Sequence, residues 1–189
     1  LWTGAGFDLA AGRFEEGLTL DGRPRPEVPI RLLVQARQIF VCSLAQRRRW
    51  RAGAGALAER AFVAMRRDYH RRDGHDGWIF SIGRDGTVSD ATRDLYAHAF
   101  VLLAIAAHVR ASGRREDLAL AHETLAFLDR EMMAPLGGGY VETLPRRVGP
   151  RRQNPHMHLF EALLALWECS HDRVFLARAE DLFELFLSK

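Results

Sequence analysis

The chain has 189 residues, of which 48% are hydrophobic and 27% charged, and its formal net charge is +3. This length and balance are typical of one soluble globular domain and exclude a disordered chain. No run approaches the 18 consecutive apolar residues of a membrane span, and no signal peptide opens the sequence, so we expect neither membrane insertion nor export. The two cysteines lack neighbouring soft ligands, which predicts buried free thiols and a reducing cytoplasm.

Every basic residue except Lys189 is an arginine, and many arginines occur in pairs. Nucleic-acid binding is one interpretation of this pattern. The pairs are spread along the chain at expected helix ends and loops, without an aromatic stacking surface or a single basic helix. This distribution favours a solvated surface, and we expect no nucleic-acid partner.

Six segments have the apolar spacing of amphipathic helices, which predicts helices at residues 26–49, 53–71, 90–112, 115–133, 154–171 and 173–189. Short breaks group the helices in three pairs, and each pair must form an antiparallel hairpin. The connections between pairs are long and rich in glycine. Within them, residues 77–81 and 139–143 are predicted to be short strands of small β-hairpins.

The first helices of successive pairs begin about 60 residues apart, a repeat of hairpin plus long loop. Such hairpins bury little alone, but stacked in a ring they form an (α/α) barrel with the first helix of each pair inside and the second outside. The predicted fold class is therefore all-α, an (α/α)6 barrel with about three of its six hairpins present. Because the chain stops inside an apolar helical pattern, we expect residues 1–189 to be a single domain that is half of such a barrel.

Polar residues within the inner helices are the candidates for function, because burying an unpaired polar group is costly. Arg37 lies in an apolar stripe of the first inner helix, where it would meet a ligand or, alternatively, form a buried ion pair. Tyr96 and His98 enter the second inner helix, for which Asp90 is the predicted N-cap. The alternative for His98 is a hydrogen bond with Asp94, one turn before it.

The third inner helix begins with a polar stripe formed by Asn154, His158 and Glu161. Asn154 precedes Pro155 and is expected to cap the helix. His158 has the alternative of a core histidine, but Glu161 is placed to fix its tautomer and tune its pKa. His156 points about 200° away from His158, so the two histidines are not expected to chelate a metal, and replacing His156 is expected to affect catalysis mildly.

Residues 152–162, RQNPHMHLFEA, resemble the NPHMHxxEA signature of bacterial mannose and sulfoquinovose isomerases, within the N-acylglucosamine 2-epimerase superfamily. Residues 31–40 and 94–100 resemble two further segments of that family, in the same order. The resemblance runs through essentially the whole chain but spans the N-terminal half of a family member. It implies aldose–ketose isomerisation by acid/base proton transfer through an enediolate, with a small sugar as partner and without a cofactor or metal.

By the same resemblance, Arg37, Asn154 and His158 are expected in the sugar pocket, together with Tyr96. His158 is the expected catalytic residue, acting in ring opening, whereas the two histidines that move the carbon-bound proton would follow this chain. The alternatives are a 2-epimerase of the N-acylglucosamine or cellobiose type, a glycoside hydrolase and a non-catalytic sugar-binding protein. A hydrolase would need a second carboxylate besides Glu161. Association into a homo-oligomer is left open.

Overall fold

The computed structural model describes residues 1–147, 149 and 151–188. Within these residues six α-helices form three antiparallel hairpins: α1 (Leu32–Arg47), α2 (Ala54–Tyr69), α3 (Leu95–Ser112), α4 (Leu118–Phe127), α5 (Gln153–Ser170) and α6 (Arg173–Leu187). They confirm the six predicted segments, with most ends displaced by a few residues. The last predicted helical residue, Lys189, lies outside the described residues. A 3-10 turn precedes α4 and one π-helical turn continues it.

Short antiparallel strands link the loops at one end of these hairpins. They form three small sheets in the described residues: β1 (Phe7–Asp8) with β2 (Arg13–Phe14); β3 (Ile30–Arg31) with β4 (Ser81–Ile82), which also pairs with β5 (Val88–Asp90); and β6 (Arg93–Asp94) with β7 (Thr143–Leu144). Because β3 and β6 lead directly into α1 and α3, both helices begin later than predicted. The N-cap of α3 is therefore Asp94, whose carboxylate accepts the Ala97 amide at 2.8 Å. The predicted cap, Asp90, was wrong.

The two predicted strands were largely wrong as well. Residues 77–81 and 139–143 contribute only their ends to β4 and β7, and the aromatic residue near the start of each makes an isolated bridge. Trp78 bridges to His70 just after α2, and Tyr140 bridges to Met133 beyond α4. The backbone of each segment turns back onto the preceding outer helix instead of continuing as a strand.

The three inner helices form a layer in which α3 packs against both α1 and α5, and α2, α4 and α6 cover its outer side. α3 is buried over most of its length. It is long and apolar enough to cross a membrane, with a mean hydropathy of 1.4, but 72% of that window is buried inside the protein. The outer helix α4 directs Ala121 and Leu125 inward, and Leu128 of the following π-helical turn is buried as well.

One buried contact recurs in all three hairpins of the described chain. The fourth residue of each inner helix accepts a hydrogen bond from the backbone of the loop before it: Phe14 N to Gln35 Oε1 at 2.9 Å, Trp78 N to His98 Nε2 at 3.2 Å and Tyr140 N to His156 Nε2 at 2.9 Å. The three acceptor residues are at most 4% exposed, and the three aromatic donors at most 1%. We call this set the loop clamps.

The histidine clamps require neutral imidazole, because the ring nitrogen that accepts must carry a lone pair. In each ring the other nitrogen, Nδ1, donates to the carbonyl four residues earlier, at 2.8 Å for His98 and 3.2 Å for His156. Burial lowers the pKa of His98 to about 4 and also lowers the pKa of His156. Both rings are thus held in one tautomer and uncharged at neutral pH.

The titration of His98 predicts a loss of stability in acid. The unfolded histidine binds its proton near pH 6.5, whereas the folded one does so only near pH 4, so the contribution is complete above pH 6.5 and is lost as the pH falls toward 4. This loss amounts to about 3 kcal/mol. The free energy of unfolding is measured with urea at pH 7 and at pH 4.5. Its decrease from pH 7 to pH 4.5 should be smaller in His98→Gln than in the wild type.

His75→Gln, in an exposed loop, is the matched control and should keep the wild-type pH dependence. If His98→Gln shows the same acid loss as the wild type, His98 is not held neutral by the fold.

Candidate active site

The sixth residues of the three inner helices, Arg37, Phe100 and His158, lie side by side. The guanidinium carbon of Arg37 is 4.8 Å from the centroid of the Phe100 ring, and that centroid is 4.8 Å from the imidazole of His158. Tyr96 closes the group, with ring centroids 5.0 Å from Phe100 and 5.2 Å from His158. Three predicted site residues are thereby brought together around Phe100, which the sequence analysis did not select.

Arg37 is exposed rather than buried, which corrects the expectation from its apolar neighbours. Leu33 and Phe40 are only half-buried, and Val41 is 53% exposed, so this stripe is the open side of α1 and not its core. No carboxylate pairs with Arg37 among the described residues, so the alternative of a buried ion pair stays an untested prediction. Its guanidinium stacks on Phe100, a contact that orients a cation while leaving its N–H groups available to another acceptor.

His158 is half-buried and forms the predicted contact with the next turn of α5. Its Nδ1 lies 3.0 Å from Glu161 Oε2. An ionised carboxylate only accepts, so in the neutral imidazole Nδ1 carries the proton and Nε2 the lone pair. No hydrogen-bond partner of Nε2 lies within the part of the chain that the structure describes. The arrangement makes His158 an oriented base backed by a carboxylate.

Asn154 occupies a different place in α5 from the one predicted. The helix begins at Gln153 with Arg152 as its N-cap, so Asn154 lies inside the first turn and does not cap it. Its side chain is exposed. One turn before His158, it lies on the same side of α5, at the edge of the group.

The structure contradicts His98 as a pocket residue. Its side chain is fully buried, both ring nitrogens are used by backbone groups, and the ring stacks on Phe127 at 5.3 Å. Residues two apart on a helix point to nearly opposite sides. His98 therefore faces the outer helices, while Tyr96 and Phe100 face the open side of the inner layer. The alternative of a bond with Asp94 is confirmed, but through its backbone oxygen and not its carboxylate.

His156 repeats this arrangement in α5. It is 4% exposed and faces away from His158, as predicted, toward the loop that carries Tyr140. The two histidines of the His-Met-His run therefore have separate environments: His156 contacts the loop that carries Tyr140, and His158 lies on the open face of the inner layer. The sequence analysis did not select Phe100, because this residue lies in an apolar run. An alignment of the three inner helices at their first residues would have placed Phe100 level with Arg37 and His158.

The electrostatics of this group favour a negative charge on a bound molecule. Arg37, Tyr96, Phe100, Asn154 and His158 all lie within the first six residues of three parallel helices, whose N-terminal ends carry partial positive charge. The cation of Arg37 adds to it. Glu161 is the nearby carboxylate, 56% exposed and bonded to His158. An oxyanion placed beside Arg37 would be stabilised here.

Asp94, two residues before Tyr96, is a further carboxylate at this end of the layer. Burial raises its pKa, and the hydrogen bond from the Ala97 amide opposes that effect. Since its side chain is engaged as the N-cap of α3, we assign it to the structure and not to the site.

Two grooves of the described chain are lined by no residue of this group. One of about 530 Å³ runs between the start of α5 and the end of α6, lined by Arg151, Gln153 and Phe186 among others. Another of about 560 Å³ lies outside, between α2 and α4. The Arg37–His158 group instead lies on the open face of the inner layer.

The chain is similar to known proteins over almost its whole length. Residues 12–189 match the profile of the family described as N-acylglucosamine 2-epimerase (GlcNAc 2-epimerase). The chain is 36% identical over 184 residues to "Mannose-6-phosphate isomerase" of Rhizobium meliloti (strain 1021), and 32% identical over 188 residues to "D-mannose isomerase" of Thermobifida fusca. Each alignment covers 96% of this chain and 46% of the relative.

Among solved structures, the cellobiose 2-epimerase of Spirochaeta thermophila DSM 6192 superposes with a TM-score of 0.86 at 29% identity, over 96% of this chain and 48% of that one. The chain thus spans about half the length of the relatives it matches. The three hairpins are those of an (α/α)6 barrel, and the fold class predicted from the repeat is confirmed. With its sequence profile and its fold in agreement, the chain belongs to the N-acylglucosamine 2-epimerase family.

Proposed function

We propose that the protein containing this chain interconverts reducing sugars, as an aldose–ketose isomerase of the mannose type. The observation that carries the proposal is the row of Arg37, Phe100 and His158, with Glu161 behind the imidazole. It combines a cation, an apolar ring and an oriented base on one open face. The relatives named mannose-6-phosphate isomerase and D-mannose isomerase support the sugar class.

His158 is proposed to open the sugar ring. Its Nε2 accepts the proton of the anomeric hydroxyl O1, the C1–O5 bond breaks to give the aldehyde, and O5 takes the proton back from the imidazolium. The carboxylate of Glu161 stabilises the imidazolium between these events, since it already accepts from Nδ1. Both O1, which loses the proton, and O5, which receives it, are bonded to C1, so one histidine can reach both oxygens.

Isomerisation then requires removal of the proton from C2, which forms the C1–C2 double bond of an enediolate. Return of this proton to C1, with transfer of the O2 proton to the O1 oxyanion, gives the ketose. Arg37 is proposed to bind the oxygen that becomes negative, because a charge-assisted hydrogen bond is stronger there than in water. The C2 base is assigned to the part of the protein beyond residue 189, and Asn154 and Tyr96 to hydroxyl binding.

Epimerisation at C2 shares every step except the last, since the proton then returns to the opposite face of C2. The likeness to a cellobiose 2-epimerase keeps this as the alternative activity. A glycoside hydrolase would need a second carboxylate across the site, whereas Glu161 is the single carboxylate of this group among the described residues and is bonded to His158.

Residues 1–189 are further proposed to be one domain that forms the N-terminal half of the barrel. Exposed apolar side chains on the last hairpin support this proposal, namely Met157 at 46%, Phe183 at 49% and Leu187 at 68% exposure. In a ring each hairpin packs on two neighbours, and this hairpin has one.

Incubation of the full-length protein with mannose or mannose 6-phosphate in D2O tests the activity and the charge of the substrate together. Isomerisation should give the matching fructose with deuterium at C1, followed by NMR. Deuterium at C2 of glucose indicates the epimerase. Saturable binding of either sugar without exchange contradicts the proposal, as does release of mannose from a mannoside in a parallel incubation.

Arg37→Ala in the full-length protein should lower kcat/KM by about 100-fold or more, since it removes an oxyanion donor. The melting temperature should change little, because the exposed side chain contributes one stacking contact worth about 1 kcal/mol. Arg66→Ala, exposed on α2, is the matched control and should leave both quantities unchanged. An Arg37→Ala protein that melts far earlier but keeps its activity would make Arg37 structural.

Expressed alone, residues 1–189 should associate and should not turn over sugar. The uncovered apolar side chains of the last hairpin drive association, and the proposed C2 base is missing. Light scattering after gel filtration and binding of a hydrophobic dye measure the first effect. A dye-negative monomer that isomerises mannose would contradict both the half-barrel proposal and the placement of the C2 base.

A further inference from the structure

The loop clamps and the candidate active site alternate along the same helices. Each clamp residue is the fourth of its helix, and the residues of the site are the second and the sixth. His98 is flanked by Tyr96 and Phe100, and His156 is flanked by Asn154 and His158. The same spacing places Arg37 two residues after Gln35.

We propose that Gln35, His98 and His156 are positioning residues for the sugar site. Residues two apart on a helix point to nearly opposite sides. Each clamp residue therefore binds the loop before its helix, while its neighbours face the open side of the inner layer. The contact therefore sets both the rotation of the helix about its axis and its displacement along it. Either change would displace the neighbouring side chains of the site.

Gln35 shows that a clamp requires a side chain that accepts a hydrogen bond and does not require one that titrates. Its amide oxygen accepts from Phe14 N at 2.9 Å, and its amide nitrogen donates to Phe14 O at 2.8 Å. In α3 and α5 the imidazole accepts through Nε2 and is steadied by its own helix through Nδ1. Glutamine and histidine thus present an acceptor at the same place from the same helix position.

His156 has the most direct effect on the chemistry, since it precedes His158 by two residues. Its partner, Tyr140, is anchored on the far side by a hydrogen bond from its hydroxyl to Asp129 Oδ1 at 2.6 Å. The loop before α5 is thereby tied to the outer layer at one end and to His156 at the other. This inference assigns the two histidines of the run to different tasks, and it replaces the expectation that losing His156 is mild.

The test compares His156→Gln with His156→Leu in the full-length protein. Leucine removes the acceptor, so backbone amide exchange at Tyr140 should speed up at least about tenfold, whereas glutamine should keep that amide protected. This readout does not depend on the proposed function. His75→Gln is the control for replacing an exposed histidine.

The effect on turnover rests on the proposed function and is measured as a double-mutant cycle. His156→Leu should lower kcat/KM strongly in the wild-type background but hardly in a His158→Ala background, because His156 acts through His158. His156→Gln should stay within about fivefold of the wild type. If no sugar is turned over by the wild type, the proposed function fails, and amide exchange alone decides on the clamp.

Three results would overturn the inference. One is His156→Leu with a protected Tyr140 amide and wild-type kinetics. Another is a His156→Gln protein whose Tyr140 amide exchange and kcat/KM match those of His156→Leu. The third is a kinetic loss from His156→Leu that is equally large in both backgrounds, which would indicate a general structural role. If His156→Leu does not fold, the behaviour of His156→Gln decides.

Discussion

The arrangement of this chain depends on a buried acceptor at the fourth residue of each inner helix. A backbone amide buried without a partner costs on the order of 1–3 kcal/mol, and the loops before the helices place such amides at Phe14, Trp78 and Tyr140. Each is satisfied from the helix and not from a strand. The hairpins pack on one another mainly by apolar contact, with ion pairs such as Arg110–Glu168 between them, and the buried acceptors give them a defined register relative to the loops that join them.

The clamp and the site use opposite sides of the same two turns of helix. Arg37, Phe100 and His158 form a row because three equivalent helices lie side by side at equal height. A repeat fold provides such a row without dedicated loops, since one position recurs in each helix. The members differ in chemistry, a cation, a ring and a base, which suits a substrate with several hydroxyls and one reacting carbon.

The sequence allowed the helices, their pairing and the inside–outside order to be predicted, because apolar periodicity is strong over helices of this length. It misled where tertiary contacts override local preference. The segments around Trp78 and Tyr140 have strand composition, yet their backbones bond to a helix side chain and to the preceding outer helix. Asn154 before proline has the composition of a cap, but α5 begins one residue earlier, at Gln153. His98 and His158 look alike in sequence and differ only in the side of the helix they occupy.

The central claim is that the N-terminal ends of the inner helices hold the sugar. A crystal structure of the full-length protein with an open-chain hexitol, such as mannitol, tests it most directly. The account predicts the polyol against the Phe100 ring, with one hydroxyl within hydrogen-bond distance of the Arg37 guanidinium and another of His158 Nε2. A polyol bound elsewhere in the barrel, with neither Arg37 nor His158 in contact, would contradict it.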